Sequence, residues 1–289
     1  MNKMKIAAID IGSNSVRLMM WADGKTLYKR INTTRLGEGL VSTGVMSPAA
    51  MQRTAAAVRD FAAAAAEEGA AKVYAFATAA VRRAANREEF LGEVRRVAGI
   101  EVDVISGEEE AEIGILGALG NSDGGMIDVG GASTEIIVRR GGKSVYAHSA
   151  DVGAVRLYDA CGRDYDKLNG FITAALAEYG EVPACGAMCA IGGTATTMAA
   201  VALALEKYDP AVIDGTRIGV AQAGEMAQKL LSMPVDEVMK MSGMDPRRAD
   251  IIGGGSLLMY RIMRMLGLSE ITVSERDNLE GYVALREGL

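Results

Sequence analysis

IDIGSNSV at residues 9–16 and IDVGGAST at residues 127–134 are two versions of one pattern. In each, an apolar run reaches Asp, an aliphatic residue and Gly, passes through small polar residues and re-enters an apolar stretch, VRLMMW in the first and EIIV in the second. Asp10 and Asp128 are 118 residues apart, and self-similarity at such an interval points to a duplicated unit. The boundary falls in NSDGG, 121–125, where loop-forming residues collect. The expected units are therefore 1–121 and 122–289, the last helix packing back on the first.

Outward from the first copy, MKIAAIDI (4–11) has the length and apolarity of a buried strand. A second strand is expected over 26–33. An alanine-rich helix is expected from Ser47 to Glu68, with Ser47 as cap and Pro48 at the first helical position. VYAFATAA (73–80) reads as a strand entering a loop, 86–98 as a helix and EVDVIS (101–106) as another strand. Alternating strands and helices give the α/β class. In the second half, AIGGTATT (190–197) and IIGGGS (251–256) read as glycine turns entering apolar helices.

At 289 residues, a prior of about 150 residues per domain gives two. The composition, 49% hydrophobic and 24% charged, is that of a globular chain. The net charge of −6 argues against unaided binding to nucleic acid or an anionic membrane. An anionic substrate would need local positive charge. The apolar run Ile6–Ile9 is too brief for a signal segment, and no stretch has the roughly 18 apolar residues of a membrane span. Three cysteines, Cys161, Cys185 and Cys189, suit ordinary thiols in a reducing cytoplasm. The four-residue spacing of Cys185 and Cys189 could present two thiolates on one helical face, but no second Cys/His pair completes a tetrahedral zinc site.

A carboxylate at a strand end followed by a glycine turn can hold a cation while backbone N–H groups face phosphate oxygens. Two such turns facing one another make a cleft in which Asp10 and Asp128 offer the hard oxygen ligands that magnesium takes. Gly12, Gly130 and Gly131 could instead simply close hairpins, but Asp in both copies favours a site. GKT (24–26) and GKS (142–144) are not phosphate loops, because the required first glycine falls on Met19 and Ile137. No GxGxxG occurs, and the single histidine, His148, excludes HExxH zinc chemistry. SGEEEAEIG (106–114) could supply a general base from Glu108, Glu109, Glu110 or Glu112. Equally, it could be the acidic first turn of a helix capped by Ser106, with Glu109 closing a capping box. Arg82 and Arg83 follow a strand, where a guanidinium could grip phosphate.

Taken in order, IDIGSNSVR, RLGEGL, FATAAVR, ISGEEEAEI, IDVGGASTE, IGGTATT and RRADIIGGG resemble the exopolyphosphatase/guanosine pentaphosphate phosphatase family, Ppx/GppA, over nearly the whole chain. The resemblance implies two ribonuclease-H-like (actin-like ATPase) domains with a cleft between them. It implies a metal-dependent phosphohydrolase, cytoplasmic and homodimeric, that acts on inorganic polyphosphate, of short chain length, or on guanosine pentaphosphate, without nucleic acid or membrane partners. It puts the water-activating carboxylate on Glu110 and the clamp on the terminal phosphate on Arg82. Asp128 and Glu135 become the Mg2+ carboxylates, with Asp10 close by. Gly12, Ser13, Asn14 and Ser15, then Gly130, Gly131, Ala132, Ser133 and Thr134, then Gly192, Gly193 and Thr194 become phosphate-facing loops.

Two departures stand out. Ala132 replaces a glycine of the family's DIGGGS, and SERDNLEGY (274–282) lacks the usual SxxGLREG, with Leu279 where an Arg is common. A kinase or ATPase of the same fold and a non-catalytic sensor of guanosine polyphosphates are the rival readings, though the kinase does not explain SGEEEA.

Overall fold

A computed structural model describes residues 4–289; the first three residues of the expected unit 1–121 lie outside it. Strands β1 (Lys5–Ile11), β2 (Ser15–Ala22) and β3 (Lys25–Thr33) form an antiparallel meander, and β4 (Ala70–Ala77) and β5 (Asp103–Val104) extend it in parallel. The sheet order is β3-β2-β1-β4-β5. The second half repeats this plan with β6 (Gly124–Val129), β7 (Thr134–Arg140), β8 (Lys143–Ala150) and β9 (Met188–Ile191). Beyond β9, β10 (Arg217–Gly219) and β11 (Glu270–Val273) complete the order β10-β11-β9-β6-β7-β8. This is the expected α/β, actin-like pairing of two like sheets.

The echo holds at the level of single bonds. Gly12 N–H donates to the Ser15 carbonyl at 3.0 Å and Gly130 N–H to that of Ser133 at 3.1 Å. Gly37 N–H donates to the Ser13 carbonyl at 2.8 Å, and Val155 N–H to the Gly131 carbonyl at 2.8 Å. Every member of one pair lies 118 residues from its counterpart in the other. GKT and GKS occupy equivalent hairpin tips, where Gly24 and Gly142 have φ of +76° and +71°.

Strand β1 is buried on both faces because its side chains alternate between two cores. Ala7, Ile9 and Ile11 pack with the helices Pro48–Glu67 and Arg87–Ala98. Ile6 and Ala8 pack with Ile113, Leu279, Tyr282 and Val283, which come from the helices Gly107–Leu119 and Asn278–Glu287. Those two helices cross at Gly117 and Gly281. A Cβ on Gly281 would overlap the Ile113 carbonyl, and one on Gly117 the Asp277 carbonyl. The helix Gly107–Leu119 turns Ala111 and Ile115 towards Met126 and Ile137 of the second sheet. It therefore sits between the sheets and carries Glu110 with it.

The Ser47 cap and the Ser106–Glu109 capping box are both present. Four local expectations are corrected. Residues 79–83 form a short helix rather than a loop, and the strand expected over 101–106 shrinks to Asp103–Val104, since Ser106 already caps the next helix. Gly253, Gly254 and Gly255 are not a turn but the first turns of the helix Ile252–Met265. Their helical cost, about 1 kcal/mol each, is met by close packing: a Cβ on Gly255 would come within 3.0 Å of Thr194 Cγ2 and 3.2 Å of Ala154 Cβ. Cys185 and Cys189 share no helical face, because Cys189 lies in β9 and Cys185 precedes that strand.

Candidate active site

The two Asp-Gly turns meet head to head. A Cβ on Gly131 would lie 2.8 Å from Ser13 Cβ and 3.5 Å from Asn14 N, so the second turn must be bare here for the first to approach. Around this contact opens a cleft of about 1280 Å³ lined by Asp10, Gly12, Ser13, Asn14, Ser15, Glu110, Asp128, Gly130, Gly131, Ala132, Ser133, Gly192, Gly193 and Thr194. All belong to the set expected from sequence. Arg82, Thr134 and Glu135 stand behind this lining. The hydroxyl of Thr134 donates to the Val152 carbonyl at 2.6 Å, and that of Thr194 to the Val129 carbonyl at 2.8 Å. Neither hydroxyl is free to donate to phosphate. Ala132, the departure from DIGGGS, is buried, and its carbonyl accepts from Arg156 Nε at 2.9 Å.

Register decides what each turn carries. Asp10 lies opposite Arg17, whereas at the equivalent place Asp128 lies opposite Glu135. The first copy thus holds an acid with its own cation, and the second holds two acids with none. Asp128 Oδ2 accepts from Asn278 Nδ2 at 3.2 Å. Its other oxygen lies where a Cβ on Gly192, φ +79°, would stand. Glu135 Oε1 accepts from Ser149 Oγ at 2.6 Å, while Glu135 Oε2 is buried with no hydrogen-bond partner. Asp10 Oδ1 is buried and unpartnered too. Glu110 Oε2 accepts from Arg82 Nη1 at 3.1 Å.

The electrostatics follow from this crowding. Burial, and then the charge of Glu135, push the carboxyls of Glu110 and Asp128 well above the usual range. Burial alone takes Glu135 up to about 7, against its hydrogen bonds. Asp10 is also raised by burial, in spite of Arg17. Buried acids this close call for a cation, and two of them hold an unpartnered oxygen to offer it. Among the described residues no three acids form a cage by themselves.

Several charged residues of the cleft escape the motif reading. Arg17 bonds Asp10 Oδ2 through Nε at 2.9 Å and Nη2 at 2.5 Å, and Asp277 Oδ2 through Nη1 at 2.5 Å. Lys29 joins Glu280 at 2.9 Å and Asp277 at 3.5 Å. Burial opposes the charge on Asp277, but Arg17 and Lys29 overcome it and hold that carboxyl down at about 2. Arg248 lies against Gly193 so closely that a Cβ there would overlap its guanidinium, and burial lowers its pKa. Reading the 118-residue echo one position further, to Arg17 against Glu135, would have exposed the first of these.

The Ppx/GppA phosphatase family matches residues 19–289. Exopolyphosphatase 2 of Mycobacterium tuberculosis is 34% identical over 309 aligned positions, covering 96% of this chain and 97% of that protein. Guanosine-5'-triphosphate,3'-diphosphate pyrophosphatase of Photobacterium profundum is 29% identical over 96% of this chain, which spans 58% of its length. The crystal structure of the Aquifex aeolicus Ppx/GppA family member superposes with a TM-score of 0.80 at 27% identity, covering 99% of both chains. With the paired Asp-Gly turns and the acid-lined cleft between like sheets, these similarities establish that the chain belongs to the Ppx/GppA phosphatase family.

Proposed function

We propose that the chain is an exopolyphosphatase-type phosphohydrolase that releases the terminal phosphate of inorganic polyphosphate, with guanosine pentaphosphate as a second substrate of the same reaction class. The observation that supports this reading is that Glu110 and Asp128 line the same cleft as the Gly12–Ser15 turn. Asp128 and Glu135, with Asp10 Oδ1 near them, would hold a divalent cation, Mg2+ by its preference for oxygen. When bound, the cation neutralises charge on the phosphoryl oxygens.

The remaining chemistry belongs to side chains and backbone. The turns 12–15 and 130–133 present small residues and N–H groups to the phosphate chain, and the N-terminus of the helix Gly192–Ala202 adds its positive end. Glu110 takes the proton of the attacking water. Burial and the charge of Glu135 raise its carboxyl, the direction that strengthens a base. Arg82 orients Glu110 and draws off developing negative charge.

The units 1–121 and 122–289, the homodimer and the cytoplasmic setting are carried as further proposals. No helix among the described residues is long and apolar enough to cross a membrane.

The decisive experiment is phosphate release from defined polyphosphates by the wild type and by Glu110→Gln. An unchanged rate in the variant would remove Glu110 as the base. Transfer from ATP to an added acceptor would favour a kinase, and tight guanosine pentaphosphate binding without phosphate release would favour a sensor.

A further inference from the structure

Arg17 has the position of a substrate grip without the freedom of one. It lines the cleft beside the Gly12–Ser15 turn, and its side chain retains 20% exposure. A guanidinium there would be expected to take a phosphate in bidentate fashion. Instead its fork is shared between two carboxylates: Asp10 holds Nε and Nη2, and Asp277 holds Nη1. Asp10 is the cross-strand neighbour of Arg17 and so an intrinsic partner. Asp277 arrives from 260 residues away. It is brought in by the N-terminus of the helix Asn278–Glu287, whose position is fixed by the crossing of Gly117 and Gly281. Its charge is secured by Lys29, which also bridges to Glu280.

We infer that Asp277 is a specificity-determining residue: it occupies the face of Arg17 that a substrate phosphate would otherwise take, so this chain grips densely charged substrates less tightly than its cleft geometry permits. The inference rests on the polyanion reading of the cleft proposed above. Arg17 and Lys29 against Asp10, Asp277 and Glu280 leave this cluster one net negative charge, which opposes any phosphate beyond those held by the turns. Asp277 stands in the SERDNLEGY segment, three residues after Ser274.

Asp277→Asn tests the point cleanly. The side chain of Asp277 is also the cap of its helix, accepting from Leu279 N–H at 3.0 Å, and asparagine keeps that bond while losing the charge. Binding of inorganic tripolyphosphate, in the presence of magnesium, is measured by calorimetry, which requires no turnover. A chain that proves not to release phosphate therefore still answers this question. Asp277→Asn is expected to bind tripolyphosphate roughly tenfold more tightly or better, as one hydrogen bond to a charged group becomes available. In an Arg17→Gln background the same change is expected to gain almost nothing. Unchanged or weaker binding in Asp277→Asn overturns the inference, and so does an equal gain in the Arg17→Gln background, which would reduce the effect to loss of a general negative field. Asp277→Ser, which also caps, replaces Asp277→Asn if the asparagine variant does not fold as judged by circular dichroism.

Discussion

Arg82 donates from one nitrogen, Nη1, both to Glu110 Oε2 at 3.1 Å and to the Ile105 carbonyl at 2.8 Å. The arginine thus fixes the acid relative to the end of the segment that leads into its helix. Glu110→Gln keeps an oxygen to accept this bond but loses the base. Turnover is expected to fall about 10²–10⁴-fold while tripolyphosphate affinity holds. Arg82→Ala is expected to lose turnover as well, and to cost about 1–3 kcal/mol of stability because the Ile105 carbonyl loses its partner. Steady-state kinetics and denaturant unfolding measure the two separately.

The acids around Asp128 predict how a cation acts on stability. Burial pushes the Glu135 carboxyl up to about 7 in the folded protein, against an ordinary value of 4.5. Without a cation, the stability contributed by its proton is fully present below 4.5 and is lost as the pH rises through 7. Magnesium should reverse that loss, so its effect on the melting temperature should be larger at pH 8 than at pH 5. At a hundredfold excess over Kd the gain is about 2.7 kcal/mol. Asp128→Asn and Glu135→Gln should remove most of it. A melting temperature indifferent to magnesium at pH 8 rejects these carboxylates as ligands.

Gly192 tests the same site through the backbone. Its φ of +79° disfavours any side chain, and a Cβ would overlap Asp128 Oδ1. Gly192→Ala is expected to displace that carboxylate and abolish the magnesium-induced rise in melting temperature, with secondary structure retained by circular dichroism. A rise as large as the wild type's would show that Asp128 tolerates the shift.

Two glycines in helices should respond with opposite sign. At Gly281 a methyl group meets the Ile113 carbonyl directly. Gly281→Ala should therefore cost about 3 kcal/mol or more and lower turnover as the helix Asn278–Glu287 is pushed away. Gly170, inside the helix Tyr165–Leu176, has nothing within 4 Å of an added Cβ. Gly170→Ala should raise stability by about 0.5–1 kcal/mol, read from the denaturation midpoint.

What the chain discloses locally and what it withholds can be separated on these residues. The Asp-Gly turns were legible because a strand, a carboxylate and a glycine are neighbours in sequence, and their repetition gave the paired sheets. The capping box at Ser106 was legible for the same reason. Arg17–Asp277 and Asn278–Asp128 were not, since they join segments 260 and 150 residues apart, and no spacing rule reaches across a fold. Thr134 and Thr194 carry the right residue type for a phosphate loop, but the conformation turns their hydroxyls to carbonyls. GGG at 253–255 misled because packing overrode the local preference of glycine for turns.

The placement of the helix Asn278–Glu287 also has a consequence for the order of assembly. Leu279, Tyr282 and Val283 cover Ile6, Ala8 and Phe76 of the first sheet, with the Tyr282 ring stacked 4.4 Å from that of Phe76. That face of β1, covered in part by Ile113 of the helix Gly107–Leu119, therefore stays incomplete until residues 278–287 exist. The N-terminal sheet cannot mature as an independent module during translation, and closing its core requires a contact between nearly opposite ends of the described chain. Such long-range closure is intrinsically slow. The step that seals the hydrophobic face is also the one that delivers Asp277 and Asn278 to the cleft, so the site is assembled only once the whole chain has committed to its fold.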